Sequence, residues 1–220
     1  AEDGIRDIGV TGVQTCALPI SHQVVVEVAC GPIRRTAPVM LRVVEVKTPP
    51  PPQVDIVFVL DTTGSMGFAL EGMIRGIADF AEELRRRQLD ATVGLVGFKD
   101  LPLGEPLQVL TYGQGARMTA DIDDFRAALG TLTVGGGQDA PESSLDGLAE
   151  AAGFPFRQGS TRVLLLITDA PPKIPDKTTR SVDECRGVLM QKGVSQVHLV
   201  ARQADRRQYE GLREPQAVEG

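Results

Sequence analysis

The sequence has no tryptophan, only 4% aromatic residues, two histidines and three cysteines among its 220 residues. Two histidines exclude a zinc site built from several imidazoles, and so few cysteines argue against a disulfide framework. The chain has a formal net charge of −6 and therefore lacks the excess of basic residues with which proteins neutralise nucleic-acid phosphates. No apolar run approaches the roughly 20 residues of a membrane-spanning helix. We therefore expect a mildly acidic chain with an aliphatic core, no nucleic-acid partner and no membrane span.

The first twenty residues differ in character from the rest. AEDGIRD at 1–7 and VTGVQTCALPI at 10–20 resemble an in-frame translation of a sequencing-library adapter. Residues 1–20 are therefore predicted to be non-native, Cys16 included, and the fold is interpreted without them. The rest of the chain is then expected to be a fragment of a longer protein.

Two β-rich segments precede a proline-rich stretch. Residues 23–29 and 39–46 predict two strands that form a hairpin or lie side by side, with a Gly-Pro turn signal between them. Two strands alone cannot bury a core. We interpret residues 21–47 as the last strands of a truncated β-sandwich-like domain, and residues 48–53, with four consecutive prolines, as a stiff linker.

From residue 54 onward, strand and helix patterns alternate. Such alternation predicts an α/β domain with a doubly wound, mostly parallel, Rossmann-like sheet. The predicted strands lie at 54–60, 92–98, 107–111, 162–168 and 196–200. The predicted helices lie at 68–87, 120–129, from Pro141 onward, at 178–192 and after Ala204.

The most informative stretch is VDIVFVLDTTGSM at residues 54–66. Its continuous apolar run is typical of a strand that is buried on both faces of a parallel sheet. Asp61, Thr63 and Ser65 follow at alternate positions, with Gly64 easing the turn. These are hard oxygen donors of the kind that Mg²⁺ prefers, and they lie just past a strand end, where open α/β sheets bind ligands.

Two further loops are expected at the same edge of the sheet. Asp169 ends the other strongly apolar strand, in LLLITDAPP. The third loop, residues 134–142, reads VGGGQDAPE and precedes a predicted helix. Asp61 and Asp169 would face one crevice if their two strands are neighbours across the switch point of the sheet.

These motifs, in this order, resemble the metal-ion-dependent adhesion site of von Willebrand factor A domains, whose Asp-x-Ser-x-Ser reads here Asp61-x-Thr63-x-Ser65. The resemblance implies an interaction module without enzymatic activity, and a bound Mg²⁺, or Mn²⁺ or Ca²⁺ in its place. It also implies a protein partner that presents an acidic side chain. It further implies that one more strand and helix should follow, so that residues 54–220 are a C-terminally truncated domain.

The resemblance also assigns residues to the site. Most members of the family place a threonine in the third loop, and this sequence has none there, so Asp139 is the expected substitute. The implied metal ligands are Asp61, Thr63, Ser65, Asp139 and Asp169. The implied ligand-binding rim is Gly64, Met66, Gly137 and Gln138.

Several alternatives stay open on the sequence alone. Asp169 could only form a turn, and Asp139 could only cap a helix that begins at Pro141. Asp61-Thr-Thr-Gly-Ser65 also resembles the phosphorylation motif of haloacid-dehalogenase-like phosphotransferases, in which the aspartate is a nucleophile. An extracellular or cell-surface location is expected from the preceding β-rich segment, and the alternative is a subunit of an intracellular complex with an ATPase.

Overall fold

The computed structural model of the chain describes residues 20–30, 33–43, 50–137 and 140–212. These fall into two units that divide at Pro50. In the first unit, β1 (Ile20–Cys30) pairs antiparallel with β2 (Ile33–Val43), as expected for two neighbouring strands. The second strand begins before the predicted 39–46, and residues 44–46 lie outside the described residues. The interpretation of this hairpin as part of a β-sandwich stays a prediction.

The second unit is built on one five-stranded sheet. Its strand order is β5-β4-β3-β6-β7, and every neighbouring pair is parallel except β4 with the short edge strand β5. This confirms the predicted α/β, mostly parallel sheet. The strands are β3 (Gln53–Asp61), β4 (Asp90–Phe98), β5 (Gln108–Val109), β6 (Thr161–Ile167) and β7 (Gln196–Val200).

Within the described residues, four α-helices and two 3-10 turns lie between these strands, and a third 3-10 turn follows β7. None of the helices within the described ranges has both the length and the apolar character that crossing a membrane requires. The helices are α1 (Leu70–Arg86), α2 (Ile122–Leu129), α3 (Ser144–Ala152) and α4 (Val182–Gln191). The 3-10 turns are Gly64–Phe68, Leu101–Leu103 and Arg206–Leu212.

The sheet is covered on both faces, and β3 lies at its centre. Phe58 packs in one cluster with side chains of α1 and α2, whereas Val57 and Val59 pack in the other with side chains of α3 and α4. Because both faces are covered, Ile56–Asp61 are all buried, which explains why the sequence here is continuously apolar and not alternating.

All four helices begin later than predicted, and α3 and α4 do so by three or more residues. The helix expected from Pro141 begins at Ser144. The two amides before it form hydrogen bonds to other segments, because Glu142 N donates to Pro171 O at 3.0 Å and Ser143 N donates to Lys99 O at 2.9 Å. The helix expected from residue 178 begins at Val182. Before it, the amides of Thr178 and Thr179 donate to the buried carboxylate of Asp146, which holds this segment as a loop.

A buried ion pair closes the amino-terminal edge of the sheet. Asp55, near the start of β3, is fully buried and accepts hydrogen bonds from Arg157 Nε at 2.7 Å and from Ser160 Oγ and Thr92 Oγ1 at 2.7 Å each. Burial raises the pKa of Asp55, but the hydrogen bonds from Thr92, Arg157 and Ser160 outweigh it, and the pKa lies below its usual 3.8. This network lies at the strand end opposite Asp61 and stabilises the fold.

Candidate functional site

The two predicted aspartate-bearing loops meet at the switch point of the sheet. β3 and β6 are parallel neighbours, with Leu60 opposite Ile167, and the helices that follow them cover opposite faces. Where the segments that follow two neighbouring strands turn to opposite faces of the sheet, a crevice forms past the carboxyl ends of the strands. The structure therefore places the loop after Asp61 and the loop that carries Asp169 side by side, as the sequence predicted.

Four oxygen-bearing side chains form one continuous chain in this crevice. Asp61 Oδ1 accepts hydrogen bonds from Thr63 N at 3.0 Å and from Thr63 Oγ1 at 2.6 Å. Thr63 Oγ1 lies 3.1 Å from Ser65 Oγ, and Ser65 Oγ donates to Asp169 Oδ1 at 2.9 Å. The alternate spacing of the motif is what brings the two hydroxyls to one side of the turn.

Thr168 fixes the second oxygen of Asp61, a role that the sequence analysis missed. Thr168 Oγ1 donates to Asp61 Oδ2 at 2.7 Å, and both side chains are buried. Burial raises the pKa of Asp61, the hydrogen bonds from Thr63 and Thr168 lower it, and the charge of Asp169 raises it; the net shift is upward. The only sequence signal was a hydroxyl residue at the end of a buried strand.

Backbone hydrogen bonds tie the third loop to the first. Gly64 N donates to Gly136 O at 3.0 Å, and Gly135 N donates to Thr62 O at 3.1 Å. Gly137 N donates to Glu105 Oε2 at 3.0 Å. The described glycines of the third loop thus lie directly against the residues that follow β3.

Gly137 permits a close approach of two side chains to the backbone of the third loop. Its φ is +66°, and a Cβ at this position would lie 2.7 Å from Glu142 Oε1 and 2.7 Å from Thr63 Cβ. Neither distance is compatible with a side chain. Glycine at this position therefore leaves the space that Glu142 Oε1 and Thr63 Cβ occupy beside the third loop.

Glu142 was predicted only as a first-turn helix residue, and the structure gives it another place. It is 4% exposed, and its Oε2 accepts no hydrogen bond within the described residues. Burial and the negative charges of Asp61 and Asp100 raise its pKa to about 8, an effect that Lys173 partly offsets. No sequence pattern could indicate this burial, because it arises from the packing of three loops.

A cavity of about 280 Å³ opens onto this constellation. The residues that line it are Ser65, Gly137, Ala140, Glu142, Asp169, Ala170 and Arg202. Arg202 Nε, in the loop after β7, is 3.1 Å from Asp205 Oδ2. One exposed guanidinium therefore stands at the border of an otherwise acidic cavity.

The remaining predicted residues have different outcomes. Asp139 and Gln138 lie outside the described residues, so their assignments stay predictions. Gly64 is exposed. Met66, in the middle of the 3-10 turn, is buried and only 4% exposed. Its side chain is therefore not available as a rim contact, and that assignment is corrected.

The spacing of the side-chain oxygens in the crevice fits the ligand shell of an octahedral cation. In the described part of the chain, no group of three or more His, Cys, Asp or Glu side chains is arranged to hold a metal. Mg²⁺ keeps oxygen ligands at about 2.1 Å, so neighbouring ligand oxygens lie about 3 Å apart. The Thr63–Ser65 distance of 3.1 Å and the Ser65–Asp169 distance of 2.9 Å match that spacing.

Comparisons with known proteins agree with this architecture. The family described as "von Willebrand factor A domain" matches residues 55–217. The "Alpha-protein kinase vwkA" of Dictyostelium discoideum is 31% identical over 120 residues, which are 54% of this chain and 18% of that protein. The chain thus spans less than a fifth of the length of this relative.

Solved structures of similar shape share little sequence. The pilus adhesin SpaC from Lactobacillus rhamnosus GG, in its open conformation, has a TM-score of 0.48 and 16% identity over 82% of this chain and 27% of that one. Proximal thread matrix protein 1 from the mussel byssus has a TM-score of 0.48 and 19% identity over 69% of this chain and 36% of that one. Neither likeness carries an inference about function.

Proposed function

Since the chain belongs to the von Willebrand factor A domain family, we propose that it is a protein-interaction module whose binding depends on a divalent cation in the crevice between β3 and β6. Domains of this family are generally interaction modules. The cation of the proposal is Mg²⁺, or Mn²⁺ or Ca²⁺ in its place, and the partner is a protein that presents an acidic side chain.

The observation that carries the proposal is the continuous chain of potential metal-ligand oxygens on Asp61, Thr63, Ser65 and Asp169. Two hydroxyls stand between two carboxylates, each within 3.1 Å of the next. When bound, the cation would supply a positive centre with an exchangeable position for a carboxylate oxygen of the partner. Thr63 and Ser65 would bind it through their hydroxyls, and Asp61 and Asp169 largely through water.

Exposed apolar side chains stand on the loops around the same edge of the sheet. Phe68 is 90% exposed after β3, Leu103 is 48% exposed after β4, and Ile174 is 51% exposed after β6. Large exposed apolar groups beside a polar centre are common on binding surfaces. They support a partner in which apolar residues flank the acidic one.

The hydrogen bonds of Asp61 favour this proposal over a phosphotransferase. A nucleophilic aspartate needs one oxygen free to attack phosphorus. Asp61 is fully buried, its Oδ1 accepts from Thr63 and its Oδ2 accepts from Thr168. The kinase activity in the name of the Dictyostelium relative belongs to a protein of which this chain spans 18%, and we propose a non-enzymatic role here.

The location of the protein stays a prediction. An extracellular or cell-surface site suits a cation-dependent adhesion role, and the alternative is the same fold in an intracellular complex with an ATPase. The cation chemistry of the crevice is the same in both settings.

Calorimetric titration with Mg²⁺ and Mn²⁺ tests the cation site. The full chain is compared with Asp61→Ala and Thr63→Ala, and with Thr62→Val as the matched control, since Thr62 Oγ1 donates to Phe98 O and faces away from the donors. We expect wild type and the control to bind, and both site variants to lose at least tenfold in affinity, which is about 1.4 kcal/mol. A folded wild type that binds neither ion would refute the proposal.

Selection from a displayed peptide library tests the partner chemistry. Peptides are captured by the immobilised chain in Mg²⁺ and eluted with a chelator. We expect the eluted pool to be enriched in Asp or Glu with apolar neighbours. Binders that persist in the chelator, or that lack acidic residues, would contradict a cation link to a carboxylate.

A further inference from the structure

Arg202 brings a positive charge to a cavity whose other charged side chains are acids. Of the residues that line the cavity, Glu142 and Asp169 are acidic and Arg202 is basic. Arg202 lies between β7 and the 3-10 turn Arg206–Leu212, so it belongs to a fourth segment at this edge of the sheet. A guanidinium does not bind a cation, so a role of Arg202 in binding concerns the partner.

Two hydrogen bonds fix this fourth segment against the loop that carries Asp169. Thr168 N donates to Val200 O at 3.0 Å, just before the arginine. Tyr209 OH donates to Ala170 O at 3.0 Å, just after it, and Tyr209 is only 1% exposed. The backbone that carries the arginine is therefore held beside the second loop from both sides.

Asp205 orients the guanidinium from one side. Asp205 Oδ2 lies 3.1 Å from Arg202 Nε, and Asp205 N donates to Arg202 O at 3.0 Å, which closes a turn. The arginine side chain is 56% exposed, and within the described residues its terminal nitrogens Nη1 and Nη2 form no hydrogen bond. The ion pair therefore positions the guanidinium and leaves its two terminal nitrogens available.

Neutralisation of the cavity's own acids does not explain Arg202. In the part of the chain that the structure describes, its ion pair is with Asp205, and neither Asp169 nor Glu142 forms an ion pair with it. A guanidinium that served to neutralise those two acids would bond to them directly. Its terminal nitrogens therefore suit an acid that enters the cavity from outside.

The geometry of the guanidinium favours an acid other than the one on the cation. A carboxylate that binds the cation through one oxygen has one oxygen left. The two terminal nitrogens of an arginine match both oxygens of a carboxylate at once. A separate acidic group therefore satisfies the guanidinium better than the remaining oxygen of the first one.

We infer that Arg202 determines the specificity of the crevice by binding a second acidic side chain of the partner, beside the one that binds the cation. The inference rests on the proposed function. It defines the partner more closely, as a protein that presents two neighbouring acidic residues. A partner with one acid would bind through the cation alone and therefore more weakly.

Peptide selection on variant chains tests the inference. A displayed library of random peptides is captured in Mg²⁺ and eluted with a chelator from wild type, Arg202→Gln and Arg206→Gln. Arg206 is exposed on the same segment but does not line the cavity, so its variant controls for the loss of one positive charge. We expect wild type and the control to enrich peptides with two neighbouring acids, and Arg202→Gln to enrich peptides with one.

Synthetic peptides from the wild-type pool measure the size of the effect. Each is made with both acids and with either acid replaced by its amide, and the acid that binds the cation is the one whose replacement abolishes binding to every chain. Replacing the other acid should cost about fivefold in affinity for wild type, the upper end for an exposed ion pair, and less than about twofold for Arg202→Gln. Arg202→Lys keeps the charge but not the planar group, so it should restore only a small part of this preference.

Mn²⁺ affinity, measured from the spin-resonance signal of the free ion, separates a partner contact from a structural role. Arg202→Gln removes a positive charge that borders the cation site. It should therefore bind Mn²⁺ as tightly as wild type or up to about threefold more tightly. A loss of Mn²⁺ affinity would show that Arg202 supports the crevice itself, and would overturn the inference.

The outcomes separate the two proposals. If wild type binds Mn²⁺ but its peptides carry one acid or none, or if the second acid matters equally to wild type and Arg202→Gln, the inference is wrong and the cation site stands. Equal losses in Arg202→Gln and Arg206→Gln would reduce Arg202 to a distant charge and also overturn the inference. If wild type binds no Mn²⁺, the proposed function fails and the inference fails with it.

Discussion

Replacing Gly137 with alanine should damage the crevice well beyond its cost to the backbone. A residue other than glycine at φ +66° costs about 1–2 kcal/mol. The new Cβ would also lie 2.7 Å from both Thr63 Cβ and Glu142 Oε1, and such overpacking costs about 1–3 kcal/mol more. We therefore expect a loss of about 2–5 kcal/mol in the free energy of unfolding.

Gly159→Ala is the matched control for this prediction. Gly159 has a φ of +80°, but a Cβ there would meet nothing within 4 Å. Gly159→Ala should lower the free energy of unfolding only by the backbone cost of about 1–2 kcal/mol. Urea unfolding followed by far-ultraviolet circular dichroism measures both variants, since the chain has no tryptophan for fluorescence.

Cation binding provides the second half of the same test. The alanine methyl at 137 pushes Thr63 and Glu142 apart, so Mn²⁺ affinity should fall at least tenfold, whereas Gly159→Ala should bind like wild type. If Gly137→Ala is no less stable than Gly159→Ala and binds Mn²⁺ equally well, the close approach described for the third loop is wrong.

Three further results are expected. Thr168→Val should lower the free energy of unfolding by about 2 kcal/mol in urea titrations, because it leaves Asp61 Oδ2 buried without a donor; Thr168→Ser should restore most of the loss. Arg157→Met should cost about 3 kcal/mol at pH 7 but leave Mn²⁺ affinity unchanged, since it strips the buried carboxylate of Asp55 of its charge partner at the far edge of the sheet. The pKa of Asp55 is lowered in the folded state, so its contribution to the free energy of unfolding is complete above its unfolded pKa of 3.8 and is lost as the pH falls through the folded pKa. The loss of stability in Arg157→Met should therefore shrink as the pH falls below 3.8. A loss that does not depend on pH would contradict the ion pair. Cys185 is fully buried, burial first and nearby acids second raise its pKa to about 12, and peptide mass spectrometry after iodoacetamide treatment should find it unmodified in the folded chain.

The architecture of the second unit was predictable because its strands are buried on both faces. The run at 54–60 is apolar without alternation, and the structure places β3 at Gln53–Asp61 in the middle of the sheet. The strand at 196–200 was predicted with the bounds it has. Helix starts were less predictable. The start of α3 depends on hydrogen bonds from the amides of Glu142 and Ser143 to carbonyls far away in the sequence, and no local sequence pattern indicates them.

The candidate site was predictable only where its residues are close in sequence. Asp61, Thr63 and Ser65 form a short motif, and Asp169 follows the second buried strand, so both were accessible to reasoning about sheet edges. Glu142 was not, because its burial depends on the bridge to Pro172. The roles of such residues arise from contacts between loops, and those contacts have no local signature.

The pairing of β3 with β6 also has a consequence for synthesis of the protein. The hydrogen bonds from Ser65 to Asp169 and from Thr168 to Asp61 join residues 104 and 107 positions apart. A nascent chain that has released β3, α1 and β4 from the ribosome carries the DTTGS motif but not the strand that completes the crevice. The crevice therefore forms only after the ribosome has released Asp169, 104 positions beyond Ser65.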